Sequence, residues 1–264
     1  MIGDETFQYE FEQRQAKFIK SIKDLQELIY FADAKTSELG VGAIEEKLSY
    51  ILFRQVFEDF NSILILSGNS FPRNALKILR SMYEHCVTMK YLQEFPDMVE
   101  LFVDYYHVTR MKQFRQFAKA YDGELQVEDF KGISDVFQSV KSKFLITDCS
   151  TCRTTRMNHQ WSKLDIVAMA SKVGLDKTLT FFCYTKAISY AHPSADSILN
   201  RIEDLEDEKW TYKFESPTDE RQTLMFSHMM LLIACESLFN QFVIADEKGL
   251  LKNAEMTWTK LWNT

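Results

Sequence analysis

The chain has 264 residues, 46% of them hydrophobic and 26% charged, so it can bury a full core and is not disordered. Eight glycines and four prolines are too few for a sandwich, a barrel or a glycine-rich nucleotide fold, whose turns need residues at positive or fixed φ. A formal charge of −7 excludes the basic surplus of a dedicated duplex-binding protein, so any contact with nucleic acid has to be local.

Apolar residues at Phe7, Phe11, Phe18, Ile22, Leu25, Leu28 and Ile29 recur at helical spacing and predict a first helix, which Gly40 and Gly42 interrupt. The pattern from Ala43 to Leu66 predicts a second helix, closed at Gly68-Asn69 by residue types that accept a left-handed cap. Ser70 and Pro72 suit the start of a third helix, which Pro96 forbids from continuing. Pro96 opens a fourth, reaching Tyr121 before Asp122-Gly123. Four long helices on short loops predict an antiparallel bundle over residues 1–122.

Residues 123–163 read as irregular, with a short helix around Val136 to Phe144 and a polar loop from Ile146 to Gln160. Residues 164–264 read as further packed helices: Leu164 to Val173, Leu179 to Ala191 closing at His192-Pro193, Leu224 to Ala245, and Asn253 to Trp262 after Gly249. Ser216-Pro217 with Asp219 and Glu220 launches the helix that contains Leu224 to Ala245. The expected architecture is a single all-α domain, a helical bundle with additional C-terminal helices. Leu224 to Ala245 is long enough to span a bilayer, but Ser227, His228, Glu236, Ser237, Asn240 and Gln241 interrupt it on several sides, which points to a buried core helix and no membrane. Five cysteines and an acidic, polar start predict a reducing, cytoplasmic setting.

The third helix carries the most chemistry. At about 100° per residue, Arg73, Lys77, Arg80, Glu84 and Thr88 form one polar stripe on an otherwise apolar helix. Arg80 and Glu84, at i and i+4, can pair, either as an ordinary surface ion pair or as a fixed guanidinium. The run Phe71-Pro72-Arg73-Asn74-Ala75, then Arg80-Ser81-Met82-Tyr83-Glu84 and Tyr91-Leu92, is followed by Trp161, Ala168-Met169-Ala170, Tyr184, Ser189 and His192-Pro193-Ser194. Together these resemble a bacterial helical domain family of unknown function, usually grouped with the HEPN-like superfamily of nucleotide- and RNA-associated bundles. The resemblance covers residues 45–200. It implies a HEPN-like bundle and a shared pocket of Arg80, Glu84, Ser189 and His192; Arg73 is a further ligand-binding candidate. Active HEPN ribonucleases carry Arg, four to six residues, then His; the histidine moves a proton while the arginine stabilises the phosphorane without a metal. Arg80/His85, Arg153/His159 and Arg221/His228 all fit that spacing. His85 lies about 140° from Arg80 on a regular helix, so it equally fits a structural histidine, and pairing the two needs a helix irregularity or a second subunit. His192 fits either a groove residue or a helix C-terminal cap.

Elsewhere, Cys149 and Cys152 with His159 make only three ligands of a four-ligand zinc site, so no metal or other cofactor is expected. Arg153, Arg156 and His159 beside Trp161 make a phosphate-facing loop or a solvated one. Asp104 and His107 share a helix face without a matching pair on another helix. Two readings follow. The first is a metal-independent ribonuclease or nucleic-acid-directed toxin of a bacterial defence or toxin–antitoxin system, working as a homodimer with an antitoxin or other partner protein. The second is a non-catalytic module that binds RNA, a nucleotide, another ligand or a partner protein.

Overall fold

A computed structural model describes residues 18–120, 130–147, 155–192, 195–199, 201–204, 210–212 and 216–262. It is all-α apart from two short hairpins. The contacts divide into two compact units, Met1–Glu94 with Ala170–Thr264, and Phe95–Met169.

In the first unit, α1 spans Ile19–Leu39, α2 Ile44–Gly68 and α3 Pro72–Glu94. Gly40, at φ 76°, donates its N–H to the Thr36 carbonyl and stops α1 in a backbone region closed to most side chains. The carboxylate of Glu46 accepts from the N–H groups of Gly42 and Ala43 and so satisfies the start of α2. The left-handed residue after α2 is Ser70, at φ 60°, rather than Gly68 or Asn69. Phe71 N–H reaches Leu66 O and Ser70 N–H reaches Ser67 O, which places the left-handed position two residues beyond the glycine.

Within this unit α2 and α3 share as partner α10, Pro217–Phe242, and α11, Leu250–Trp262, packs on α1. Phe53, Val56, Phe60 and Ile63 of α2, Leu76, Leu79 and Met82 of α3, and Met230, Leu231 and Leu238 of α10 form this core. By length and composition α10 could cross a membrane, yet it is mostly buried inside the unit. The unit also contains a nearly continuous helix over 177–191: Lys177–Thr180, a π-helical stretch Phe181–Lys186, and Ala187–Ala191. Ala195–Leu199 follows, and Ile202–Asp204 pairs antiparallel with Trp210–Tyr212.

The second unit holds α4, Val99–Ala120, and α5, Lys131–Val140. Its core is Val108 and Met111 of α4, Phe137 and Val140 of α5, and Phe144. The stretch expected to be a long loop contains a hairpin, β1 (Leu145–Thr147) with β2 (Thr155–Met157), registering Ile146 opposite Arg156. Three residues a side are too few for periodicity to reveal, although Ile and Thr favour the pleat. Cys149, Cys152 and Arg153 lie outside the described residues.

Two predictions follow from the first unit. His228 is 4% exposed, with Ser21 Oγ 2.8 Å from its Nδ1, and burial pushes its imidazole down to about 3. The unfolded chain therefore takes up that proton first, and stability that is full above the ordinary histidine range is lost as pH falls toward 3. Between pH 7 and pH 5 this one group should lower the unfolding free energy by about 2 kcal/mol, and His228→Gln should flatten the difference in urea titrations at the two pH values. Secondly, Val243, which closes α10, is 89% exposed and held at φ 53°, a strained conformation for a β-branched side chain. Val243→Gly should raise stability by about 1 kcal/mol in the same titration.

Candidate functional site on the third helix

Seven polar side chains lie along about four turns of α3, and the packing sorts them by face. Asn74 and Lys77 are exposed, and Arg80, Ser81, Glu84, His85 and Thr88 are half-buried, while Leu79, Met82, Tyr83, Cys86 and Val87 are buried. Arg80 stands on one edge of this open stripe. Its Nε donates to Glu84 Oε1 at 2.9 Å, and its guanidinium lies 5.0 Å from the centre of the Tyr184 ring. These two contacts hold the guanidinium, and its terminal amino groups bond to no described residue.

His85 stands on the other edge, about 7.5 Å further along the axis. Asp59 of α2 lies 3.0 Å from its Nδ1, and the side chains are 27% and 19% exposed. A carboxylate beside Nδ1 accepts that N–H and leaves Nε2 as the acceptor nitrogen, which bonds to no described residue. Arg80 and His85 thus face different neighbours, Tyr184 and Asp59, as the helical spacing required, and they flank a common stripe instead of touching.

The 177–191 helix sets the other wall. Asp176 accepts from Thr178 N–H at 2.6 Å to start it. Tyr83 donates its hydroxyl proton to Thr180 Oγ1 at 2.7 Å, and Thr180 in turn donates to Asp176 O. Burial pushes the Tyr83 phenol up to about 12, so it is a structural donor and not a base. Tyr83 against Thr180 and Arg80 against Tyr184 make this helix antiparallel to α3. The wider turn of the π-helical stretch changes which side chains face α3, bringing Tyr184 to Arg80 and Lys186 to α10.

At that end Asp219, 5% exposed in the first turn of α10, lies 3.0 Å from Lys186 Nζ and 3.6 Å from Arg73 Nε. Lys186 also donates to Gln222 Oε1 at 2.7 Å. Arg73, expected as a ligand-binding residue, is thereby placed in a buried ion pair. Ser189 donates its hydroxyl to Lys186 O at 2.7 Å, and His192 is exposed at the helix C-cap with its N–H on Ile188 O. Eight residues past Tyr184, His192 is about 12 Å further along a helix antiparallel to α3, at the Arg73 end of the stripe and not at Arg80. Of the expected pocket, Arg80 and Glu84 are brought together; Ser189 and His192 belong to the other end.

The remaining expected positions lie apart from this stripe. Arg156 is exposed on β2, in the second unit. Arg221 stacks on Trp262, 5.7 Å from its ring, while His228 is buried. Among the described residues no group of three His, Cys, Asp or Glu side chains could hold a metal ion, and Asp104 is bonded to Lys143 Nζ at 2.6 Å. Asp59, Lys186 and Asp219 are the site residues that sequence reasoning did not single out as such. Only Asp219 carried a local signal there, as a helix-starting acid.

Residues 46–209 match the model of a family of unknown function, DUF5677, a span that includes all of α3 and the 177–191 helix. No curated protein and no solved structure matches the chain.

The two ion pairs should differ sharply when broken. Asp219→Ala leaves Arg73 and Lys186 without their common carboxylate in a buried place and should cost about 3–5 kcal/mol. Arg80→Ala removes a half-exposed pair and should cost about 1 kcal/mol. Urea unfolding of both variants checks the contrast.

Proposed function

The chain belongs to the DUF5677 family, and we propose that the open stripe of α3 is a phosphodiester-binding and -cleaving site, making the protein a metal-independent ribonuclease of HEPN-like type. One observation carries this reading: a guanidinium and an imidazole, each held by its own carboxylate, flank one helical stripe, and the terminal amino groups of the first and Nε2 of the second bond to no described residue. Arg80 Nε is taken by Glu84, which leaves the terminal amino groups to grip two oxygens of one phosphate. His85 Nδ1 is taken by Asp59, which leaves Nε2 able to accept a proton.

The reaction these groups support is internal transesterification of RNA. His85 Nε2 removes the proton of a ribose 2′-hydroxyl, and the 2′-oxygen attacks the adjacent phosphorus. Arg80 stabilises the charge added to the non-bridging oxygens, worth most where water is partly excluded. The bond from phosphorus to the 5′-oxygen then breaks, and the proton held by His85 passes to that oxygen. The products are a 2′,3′-cyclic phosphate and a 5′-hydroxyl. Asp59 is a positioning residue that holds the imidazole in one tautomer. Tyr184 holds the Arg80 guanidinium over its ring, which keeps the arginine in place at the stripe. In this reading the substrate is cytoplasmic RNA, as the resemblance to bundles of defence and toxin–antitoxin systems implies. An acidic chain whose cations at this site are few and local suits a single-stranded substrate better than a duplex.

The test is cleavage of a fluorescently labelled single-stranded RNA in EDTA. His85→Ala should lower kcat by about 10²–10⁴ with little change in RNA affinity. Arg80→Ala should lower both, and Asp59→Asn should lower kcat while shifting the pH profile. RNA binding without cleavage would leave the stripe a binding module, and neither binding nor cleavage by the unaltered chain would overturn the reading.

A further inference from the structure

We propose that the second unit holds a mononucleotide in a cavity between α4, α5 and β2, with the base on an apolar floor and the phosphate on the cations of α4. The proposal does not depend on RNA chemistry at α3. The cavity has a volume of about 290 Å³. Val108, Met111, Phe137 and Met157 form its floor, continuous with the core of the unit. That size is at the small end of ligand pockets, about 300–1,000 Å³, and suits one base with its sugar but not a dinucleotide.

Its rim is cationic on one side. Lys112, Arg115 and Lys119 line the cavity at i, i+3 and i+7, hence on one face of α4, and His159 lines it from beyond β2. The acids of α4, Glu100 and Asp104, lie in its first half, where both are bonded to Lys143. Lys112, Arg115 and Lys119 make no ion pair with any described residue. Arg115 instead has its guanidinium over the Phe137 ring, 5.3 Å from the ring centre, at the boundary between floor and rim.

The observation that selects the ligand is Asn158. Its backbone is pinned on both sides: its N–H donates to Phe144 O at 2.8 Å and its carbonyl accepts from the Tyr105 hydroxyl at 3.3 Å. Asn158 lines the cavity, and its side-chain Nδ2 is buried without an acceptor among the described residues. A buried donor without an acceptor is costly, and a turn of the carboxamide toward a ligand in the cavity recovers the loss. A bare anion would leave the apolar floor unused, and an acyl chain would offer the amide nothing. A nucleobase brings a flat apolar face for the floor and a polar edge that an amide side chain reads, with a phosphate for the arginine fork.

The experiment is equilibrium dialysis of the full chain against AMP, GMP, CMP and UMP, with adenosine, ribose 5-phosphate and inorganic phosphate as controls. At least one mononucleotide should bind ten times or more tighter than each control. The double variant Lys112→Ala/Arg115→Ala, both exposed positions, should weaken it at least tenfold with the melting temperature of the free protein unchanged. Arg80→Ala should leave it intact. The proposal is overturned if no mononucleotide outcompetes the controls, if phosphate alone binds equally well, or if the loss follows Arg80→Ala instead of the α4 pair.

Discussion

In the first unit a carboxylate withdrawn from water holds three helices to one another. Asp219 sits in the opening turn of α10, where Ser216 Oγ accepts its N–H and the helix dipole favours negative charge. Its two cations come from different elements, Arg73 from the start of α3 and Lys186 from the end of the π-helical stretch. Burying a charge this deeply is tolerable only when paired, so the pairing dictates where these ends meet. With the ends joined, Phe182 stacks on Phe226, their ring centres 4.9 Å apart, and closes the apolar layer between the 177–191 helix and α10.

The orientation of the α3 stripe follows from that arrangement. Because α3 is clamped between α2 and α10 on its apolar arc and lined by the 177–191 helix on one flank, its remaining arc stays open. Arg80 reaches its aromatic neighbour across one flank and His85 reaches Asp59 across the other. The thiols of Cys86, Cys183 and Cys235 are buried beneath, and burial pushes the Cys86 thiol up to about 12, so they pack as small apolar groups without nucleophilic use.

The second unit solves a smaller packing problem with fewer residues. Val108 and Met111 face Phe137, Val140 and Phe144, and the hairpin lays Met157 on the same cluster. A core that size leaves a concavity at its margin, and α4 carries alongside it cations that pair with no described acid. Charge on α4 is therefore segregated along its length: an acidic first half bonded to Lys143, a basic second half facing the cavity.

Helical class, most helix limits and the amphipathic stripe of α3 were legible in the residues, because each depends on 3.6-residue periodicity and on caps within a few positions. Ser216-Pro217 announced α10, and Arg80 with Glu84 announced their pair, since i and i+4 are neighbours on any helix. What lay beyond local spacing was decided by tertiary structure. Asp59 lies 26 positions from His85, and Asp219 lies 146 from Arg73, so no pattern along the chain links them. The π-helical stretch was invisible for the same reason: its wider turn is stabilised by where Tyr184 and Lys186 find their partners, not by the propensities of Phe181–Lys186. The sequence alone determined which residues could form helices and which faces would seek a core. Packing decided which helices shared that core, because burial rewards any apolar face equally and only the paired charges, with their fixed reach and direction, discriminate among the possible neighbours.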